Sequence, residues 1–371
     1  MFARSMSVAG AASAALIAAG VSAQRTSKHD RAHQARRTQA SLTPTAACTG
    51  PRVRSAPALC EVQTYQGYRY VDVGGVTYNA GLKPETVYEL MATNTLRGGP
   101  SADIVVATYP KCGTTWMQQV VLTLLAGGDG DKVRDPMQMS PWIEEFESVD
   151  DANGWAPPQS EQVLEPPRRV LKTHAPVQLV PWAGGLMGIP TGAKVIVVVR
   201  NPKDVAVSFF HHTKDCIEVF GYDGDWDHFL RELFLHGLLE CGCFWDWHAK
   251  WYKEAQRAGD DQIMWISYEE MKADLPAAIA RVASFCNIPA DAELIASVAG
   301  ASTFSKMQQN FAEEDAKKLA MGEFVKPNHI RQGKSGAWRK TFSGEQEAAF
   351  DALHDSKCKE LGLPTDLFSF D

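Results

Sequence analysis

A short turn near residue 110 holds residue types that bind a phosphate group. The segment Thr108–Trp116 reads Thr-Tyr-Pro-Lys-Cys-Gly-Thr-Thr-Trp, which places a lysine, a glycine and two adjacent hydroxyls close together. If a helix begins here, its N-terminal N–H groups and the positive end of its dipole favour an anion. Gly113 lets the backbone approach closely, and Lys111 adds a full positive charge. Many strand–helix turns contain a glycine and a lysine for structural reasons alone, so this turn is informative only together with other motifs.

The common nucleotide-binding pattern GxxxxGK[ST] does not occur in this turn. Gly333-Lys-Ser335 resembles the last three positions of that pattern, but residue 328 is Asn and no predicted strand precedes it. We therefore interpret the match at residues 333–335 as accidental.

Lys172 and His174 form a second group of residues that could do chemistry. Residues two apart in an extended strand point to the same side, so both side chains can face one ligand. A neutral imidazole accepts a proton near neutral pH, and a lysine can bind anionic oxygens. Taken alone, His174 would be explained more simply as a structural histidine. The Lys-Thr-His context favours a general base.

Arg200 ends the clearest strand of the sequence, the apolar run Lys194–Arg200. Asn201 and Pro202 follow, and they are typical of the N-cap and the first position of a helix. An arginine at the end of a strand can make paired, charge-assisted hydrogen bonds to phosphate oxygens. The sequence therefore predicts a second anion site after this strand.

Short apolar segments alternate with helical patterns along the chain, which predicts an α/β fold with a central parallel β-sheet flanked by helices. In such a sheet the carboxyl ends of the strands lie on one side, where ligands bind. Because no repeat or internal linker is visible, we predict a single domain over residues 61–371. The strand candidates are Asp103–Thr108, Arg169–Lys172, Lys194–Arg200 and Ile263–Ser267.

The composition limits the classes of function. The 371 residues are 45% hydrophobic and 22% charged, which is typical of a globular enzyme. The net charge of −7 argues against a general nucleic-acid or anionic-membrane surface but allows a local cationic pocket. The eight cysteines are scattered without the paired spacing of a zinc site, and no carboxylates show the spacing of a magnesium site.

Residues 1–60 differ in composition from the rest of the chain. An Ala-rich run over residues 8–23 ends in Val-Ser-Ala before Gln24, as in a cleavable secretory signal. The following residues 25–60 are rich in Arg, Ser, Thr and Ala and contain one acid, Asp30, as in a transit peptide. We predict an organelle-targeting leader, with the plastid favoured and the secretory lumen or the cytoplasm as alternatives. The alternative to a leader is a disordered N-terminal extension on a cytosolic enzyme. The run is short of the about 20 strongly apolar residues of a membrane span, so no span is expected in the mature protein.

Six motifs, in chain order, resemble those of the cytosolic-type sulfotransferases, which use 3′-phosphoadenosine-5′-phosphosulfate (PAPS). The family sequences are TYPKSGTTW, KTHLPxxLLP, RNxKDVxVS, YEDMK, TSFxxM and RKGxxGDW. The corresponding segments here are Thr108–Trp116, Lys172–Pro181, Arg200–Ser208, Tyr268–Lys272, Ser302–Met307 and Arg331–Trp338. The resemblance implies a P-loop-kinase-like sulfotransferase fold. It also implies transfer of a sulfuryl group from PAPS to a hydroxyl or amine of a small acceptor, with release of 3′,5′-bisphosphoadenosine (PAP).

The resemblance also implies roles for individual residues. His174 is the expected general base, Lys111 would lie on the 5′-phosphosulfate, and Lys172 would bind the transferring sulfuryl oxygens. Because lysines and helix dipoles supply the positive charge, no metal is expected. The implied donor-binding residues are Lys111, Cys112, Gly113, Thr114 and Thr115 at the 5′-phosphate, Trp116, Tyr268 and Phe304 at the adenine with Ser302 in the same site, and Arg200, Ser208, Arg331, Gln332 and Gly333 at the 3′-phosphate.

Several positions depart from the family pattern. Cys112 replaces a serine, Gln332 replaces a lysine, and Trp247 stands in an aromatic helix where the family has a histidine. We expect these replacements to alter the donor site without abolishing donor binding. We interpret the aromatic helix as core packing. The late dimerisation pattern keeps only part of its residues, so a dimer stays an open question.

Two other functions remain possible from the sequence. One is a nucleotide kinase with the same fold and turn, and the other is a PAP- or PAPS-binding module without turnover. The acceptor is expected at two loops, residues 136–155 and 211–226, which contain acids such as Glu144 and Asp215. These acids fit a polar or cationic acceptor, or simply a solvated surface. His211 and His212 fit a pocket wall or plain surface better than a metal pair, because adjacent helical residues face different ways.

Overall fold

The structure is a computed structural model. It describes residues 62–157, 162–164, 166–180, 182, 188–322, 325, 330–331 and 333–368. The predicted leader lies outside the described residues. The domain boundary at residue 61 also falls outside them and stays a prediction.

A small antiparallel sheet opens the described chain. It consists of β1 (Gln63–Tyr65), β2 (Tyr68–Val73) and β3 (Val76–Asn79), in the order β1-β2-β3. Val71 and Val73, two residues apart in β2, lie in the hydrophobic core, and Tyr68 at the start of the strand is buried there too. The sequence analysis did not predict this sheet.

Four parallel strands form the central sheet, in the order β5-β4-β6-β7. The predicted α/β class with a central parallel sheet is therefore confirmed. In the register, Ile104 pairs with both Val170 and Lys194, so β4 lies between β5 and β6. The strands are β4 (Ile104–Thr108), β5 (Val170–Thr173), β6 (Lys194–Val199) and β7 (Ile263–Ser267).

The principal helices are α1 (Pro84–Ala92), α2 (Thr114–Leu125), α3 (Pro202–Asp215), α4 (Phe244–Ala258), α5 (Tyr268–Ala273), α6 (Leu275–Phe285), α7 (Ala292–Ala301), α8 (Phe304–Ala320) and α9 (Gly344–Leu361). Shorter helical turns are Gly99–Ser101, Gly130–Lys132, Pro136–Met139, Ile143–Glu145, Val149–Gly154, Val177–Leu179, Ile217–Phe220, Trp226–His228, Phe229–Phe234, Ala337–Lys340 and Thr365–Leu367. Within the described ranges, no helix is both long and apolar enough to cross a membrane.

The two faces of the central sheet belong to two hydrophobic clusters. Ile104 and Val106 of β4 pack with the apolar side of α2, whereas Val105 and Ala107 belong to the cluster that contains the tryptophans of α4. This division follows from the two-residue period of a strand. Because both faces are buried, the strands are continuous apolar runs, as the sequence indicates.

Candidate active site

The carboxyl ends of the four parallel strands meet at one edge of the sheet, and a predicted site residue follows or ends each strand. The loop after β4 carries Lys111, β5 is followed by His174, β6 by Arg200 and β7 by Tyr268. All four residues line one cavity of about 240 Å³. The predicted residues found in its lining are Lys111, Gly113, Thr114, Thr115, Trp116, Lys172, His174, Arg200, Ser208, Tyr268, Phe304, Arg331 and Gly333.

The loop after β4 is shaped for an anion. Gly113 is the N-cap of α2 with φ 108°, a left-handed conformation that glycine adopts without strain, and no described side chain caps this helix. Lys111 also has a positive φ, 73°, which is rare for a residue with a side chain and is found at functional sites. The backbone N–H groups at the start of α2 are thus directed to one place, where they favour a phosphate.

Arg200 connects three parts of the cavity. Its guanidinium donates to the carbonyl of Lys111 at 3.0 Å and to that of Lys334 at 3.2 Å, and it lies 4.3 Å from the centre of the Tyr268 ring. Burial, together with the charge of Arg200, lowers the pKa of Arg331. Two arginines that repel each other in a partly buried cavity favour a bound anion.

An aromatic pocket lies beside the phosphate loop. The rings of Trp116 and Tyr268 meet edge to face, with centres 5.1 Å apart. The Trp116 indole donates to the carbonyl of Ser302 at 2.8 Å, which fixes the orientation of the ring. A Cβ atom at Gly333 would lie 2.2 Å from the Phe304 ring, so a side chain would collide there. This arrangement provides flat apolar surfaces for a base.

The residues present fit PAPS. The cavity is lined by six cationic residues next to the aromatic pocket, namely Lys111, Lys172, Arg200, Lys272, Arg331 and Lys334. Nε of Arg200 is buried and has no hydrogen-bond partner among the described residues, as expected for a donor that serves a ligand. In the part of the chain that the structure describes, no group of three or more His, Cys, Asp or Glu could hold a metal ion.

His174 lies at the end of β5 with 8% of its surface exposed. Its Nδ1 is 2.8 Å from the carbonyl oxygen of Thr108 and 3.2 Å from the hydroxyl of the same residue. Since a carbonyl can only accept, Nδ1 carries the proton in the neutral ring, and Nε2 is then the basic nitrogen. The Thr108 hydroxyl also contacts that of Thr114 at 2.7 Å, which links His174 to the start of α2.

The indole of Trp142 lies beside both Lys172 and His174, and the sequence motifs did not indicate a role for it. The Trp142 ring is 5.1 Å from the His174 ring at an angle of 74°, and Nζ of Lys172 lies 4.7 Å from the centre of Trp142. The backbone N–H of Lys172 donates to the carbonyl of Pro141 at 3.0 Å. Trp142 therefore contacts both side chains that the sequence places at the chemistry.

Two predicted donor-site residues do not line the cavity, and a third lies outside the described residues. The Cys112 side chain is buried in the hydrophobic core, where burial raises the pKa of its thiol, and the residue does not line the cavity. Ser302 is buried too, and its carbonyl supports Trp116. Gln332 lies outside the described residues.

The sequence analysis also missed the side chains that hold the backbone at His174. Glu144, treated there as an acid of an acceptor loop, is 1% exposed and accepts from the N–H groups of His174 and Ala175. Trp247 and Trp251 donate to the carbonyls of the same two residues. No local pattern connects these positions, and the only signal in the sequence was the departure from the family pattern at Trp247.

Comparison with known proteins agrees with this geometry. The family model of the sulfotransferase domain matches residues 101–362. Sulfotransferase 2B1 of Mus musculus is 30% identical over 293 residues, which cover 78% of this chain and 80% of that protein. Sulfotransferase 6B1 of Danio rerio is 30% identical over 285 residues, which cover 76% of this chain and 86% of that protein.

Solved structures share the fold. Mouse sulfotransferase SULT7A1 complexed with PAP is 24% identical, with a TM-score of 0.57, and the match covers 77% of this chain and 93% of that one. Retinol dehydratase in complex with androsterone and inactive cofactor PAP is 21% identical, with a TM-score of 0.60, and the match covers 79% of this chain and 89% of that one. At these identities the structures show the fold alone.

The chain belongs to the sulfotransferase family, because the family model and the two relatives each cover most of it. It is a PAPS-dependent sulfotransferase, which transfers a sulfuryl group to a small-molecule acceptor. The class of function expected from the six motifs is therefore confirmed.

Proposed function

We propose that His174 is the general base of the sulfuryl transfer and that Lys111 and Lys172 stabilise the charges that move during it. The observation that carries this proposal is the hydrogen bond between Nδ1 of His174 and the carbonyl of Thr108. It assigns the proton of the neutral ring to Nδ1 and leaves Nε2 basic, in a residue that lines the same cavity as both lysines.

Nε2 of His174 takes the proton of the acceptor's hydroxyl or amine while the acceptor atom forms a bond to sulfur. The bond between sulfur and the bridging oxygen breaks, and that oxygen leaves with its electron pair on PAP. Lys111 follows the charge that builds on the bridging oxygen, and Lys172 binds the sulfuryl oxygens. As in phosphoryl transfer, positioning and electrostatic stabilisation contribute most of the catalysis.

The lining of the cavity supports the donor-binding roles of most predicted residues, whereas those of Cys112, Ser302 and Gln332 rest on the family motifs. We propose that the loop of Lys111, Cys112 and Gly113, with the hydroxyls of Thr114 and Thr115, binds the 5′-phosphate. Trp116, Tyr268 and Phe304 are proposed to hold the adenine, with Ser302 supporting Trp116. Arg200, Ser208, Arg331, Gln332 and Gly333 are proposed for the 3′-phosphate.

The direct test is transfer of label from PAPS to a panel of phenols, alcohols and amines, with the acceptor that reacts fastest used for all variants. A general base contributes about 10²- to 10⁴-fold, so we expect His174→Ala to lower kcat by that factor and to leave the Kd for PAP within about twofold of wild type. Wild-type turnover by His174→Ala would refute the proposed base. A nucleotide kinase would instead be stabilised more by ATP with Mg²⁺ than by PAP, and Arg200→Ala would not weaken nucleotide binding.

We also propose that residues 1–60 are a cleavable leader that directs the protein to an organelle, with the plastid favoured. The supporting observation is the Ala-rich run followed by an arginine-rich, acid-poor stretch. A fluorescent protein fused to the carboxyl end of the full chain, compared with the same fusion lacking residues 1–60, tests this. Sequencing of the mature N-terminus gives the cleavage site, and a full-length cytoplasmic protein would contradict the proposal.

A further inference from the structure

The N–H groups of the turn that carries His174 are bound by one carboxylate oxygen. Oε1 of Glu144 accepts from the backbone N–H of His174 at 2.9 Å and from that of Ala175 at 2.7 Å. The same oxygen accepts from the hydroxyl of Thr173 at 2.9 Å. Three consecutive residues are thus tied to one atom of a helical turn, Ile143–Glu145, that lies outside the sheet.

The carbonyl groups of the turn are bound from another element, helix α4. Nε1 of Trp247 donates to the carbonyl of His174 at 2.9 Å, and Nε1 of Trp251 donates to that of Ala175 at 3.2 Å. Residues four apart lie on one face of a helix, which is why both indoles reach the same turn. Their ring centres are 5.8 Å apart, and both side chains are fully buried. The backbone N–H and carbonyl groups of residues 174 and 175 are therefore all bound by side chains.

We propose that Glu144, Trp247 and Trp251 form a clamp that positions His174 for proton transfer. They are positioning residues, because they contact the backbone of the turn and not the reacting atoms. The clamp fixes the point from which the imidazole projects, while Thr108 fixes the rotation of the ring through Nδ1. This inference rests on the proposed role of His174 as general base. A misplacement of about 1 Å in such a group can cost on the order of 10²-fold in rate.

The burial of Glu144 supports a positioning role over simple packing. A buried carboxyl is costly, and an apolar side chain would be enough for packing, but it could not accept from Thr173, His174 and Ala175. Burial raises the pKa of Glu144 to about 7, although the hydrogen bonds from Thr173 and His174 lower it. Its second oxygen, Oε2, has no hydrogen-bond partner within the described residues. A destabilising group held next to a proposed base is expected where geometry is required for function.

A pair of tryptophan variants separates positioning from stability. Trp247→Phe removes the indole N–H that binds the His174 carbonyl, and Trp245→Phe removes one from the same helix that binds His354 at 3.0 Å instead. Both tryptophans are buried, so both variants are expected to lose stability. We expect kcat to fall about tenfold for Trp247→Phe and to stay within about twofold for Trp245→Phe. The Kd for PAP should stay within about twofold of wild type in both.

Glu144 variants test the other half of the clamp. We expect Glu144→Ala to lower kcat by about 10²-fold with an unchanged Kd for PAP. Glu144→Gln keeps an oxygen that can accept the same hydrogen bonds, so its kcat should recover to within about tenfold of wild type. The control is Glu293→Ala, because Glu293 is an exposed acid on α7, outside both predicted acceptor loops, and this variant should keep full activity.

A double variant shows whether Glu144 acts through His174. If it does, Glu144→Ala should lower kcat by no more than about twofold when His174 is already alanine. An equal loss in both backgrounds would refute the clamp while the general base stands, and so would wild-type kcat in both Glu144→Ala and Trp247→Phe. Should Glu144→Ala fail to fold, the kcat values of Trp247→Phe and Trp245→Phe decide. A loss confined to Trp247→Phe supports the clamp, and equal kcat values in the two variants refute it. Full activity of His174→Ala would instead overturn the proposed base, and the clamp with it.

Discussion

The buried carboxyl of Glu144 gives the protein a stability that depends on pH in a direction opposite to that of most acids. Burial raises its pKa from the ordinary value of 4.5 to about 7. Between these two values the folded chain binds more protons than the unfolded chain. The free energy of unfolding therefore falls as pH rises through this range, and the contribution levels off above pH 7. The carboxyl destabilises the fold most at and above neutral pH.

The size of the effect follows from the same two values. At about 1.4 kcal/mol for each pH unit, the interval from 4.5 to 7 corresponds to about 3 kcal/mol. Glu144→Gln removes the titration and keeps an oxygen that can accept from His174 and Ala175. Tyr78 and Cys241 face Glu144, and burial raises the pKa of both, so neither titrates in this range. We expect the Gln variant to gain about 2 to 3 kcal/mol on wild type between pH 5 and pH 8.

Urea unfolding at pH 5, 6, 7 and 8 measures this difference. Wild type, Glu144→Gln and Glu145→Gln are compared, and the last is the control because Glu145 is exposed on the same turn. The difference between wild type and Glu144→Gln should grow from pH 5 to pH 7 and level off towards pH 8, whereas that for Glu145→Gln should stay flat. Parallel curves for wild type and Glu144→Gln would refute the reasoning, since they would mean that Glu144 has the same pKa in the folded and unfolded chains.

Three further predictions concern the donor site and the core. Arg200→Ala should raise the Kd for PAP by about 10- to 100-fold in calorimetry, because charged hydrogen bonds contribute about 1.5–3 kcal/mol, whereas the exposed Arg281→Ala should not. Gly333→Ala should abolish PAP binding, since its Cβ would lie 2.2 Å from Phe304, while Gly300→Ala, with open space around it in α7, should bind PAP normally. Burial lowers the pKa of His248 to about 3, so thermal unfolding should show stability falling from pH 6.5 towards pH 3, and His248→Phe should flatten that fall.

The sequence was sufficient where the signal is local. The apolar run that ends at Arg200 predicted both β6 and the position of the arginine at the sheet edge. The N-cap of α3 was predicted as well, and in the structure the Asn201 side chain accepts from the backbone N–H groups of Lys203 and Asp204. Such features depend on side chains within a few residues of one another, and their chemistry can be recognised in any chain. The parallel topology then places every strand end at one cavity.

The parts that could not be predicted depend on contacts between distant residues. The hydrogen bond from His174 to Glu144 joins residues 30 apart in the chain, and that from Trp247 to His174 joins residues 73 apart. Nothing in the spacing of an acid or a tryptophan indicates which backbone group it will meet. The small sheet of β1 to β3 was missed for a different reason, because its strands mix polar and apolar residues and lack the continuous apolar runs by which the central strands were predicted.

The departure at Trp247 acquires a physical meaning from the structure. This residue stands where the family has a histidine, and from the sequence we interpreted the surrounding aromatic helix as core packing. Trp247 is indeed buried, but its indole N–H binds the carbonyl of His174. Histidine and tryptophan share a flat ring with an N–H donor at its edge, so the exchange keeps the one property that the His174 carbonyl needs. A phenylalanine would fill a similar space without that donor. For this reason, Trp247→His should keep more of the wild-type kcat than Trp247→Phe does, although the smaller ring packs less well. A kcat for Trp247→His at or below that of Trp247→Phe would mean that volume, and not the hydrogen bond, is what this position contributes.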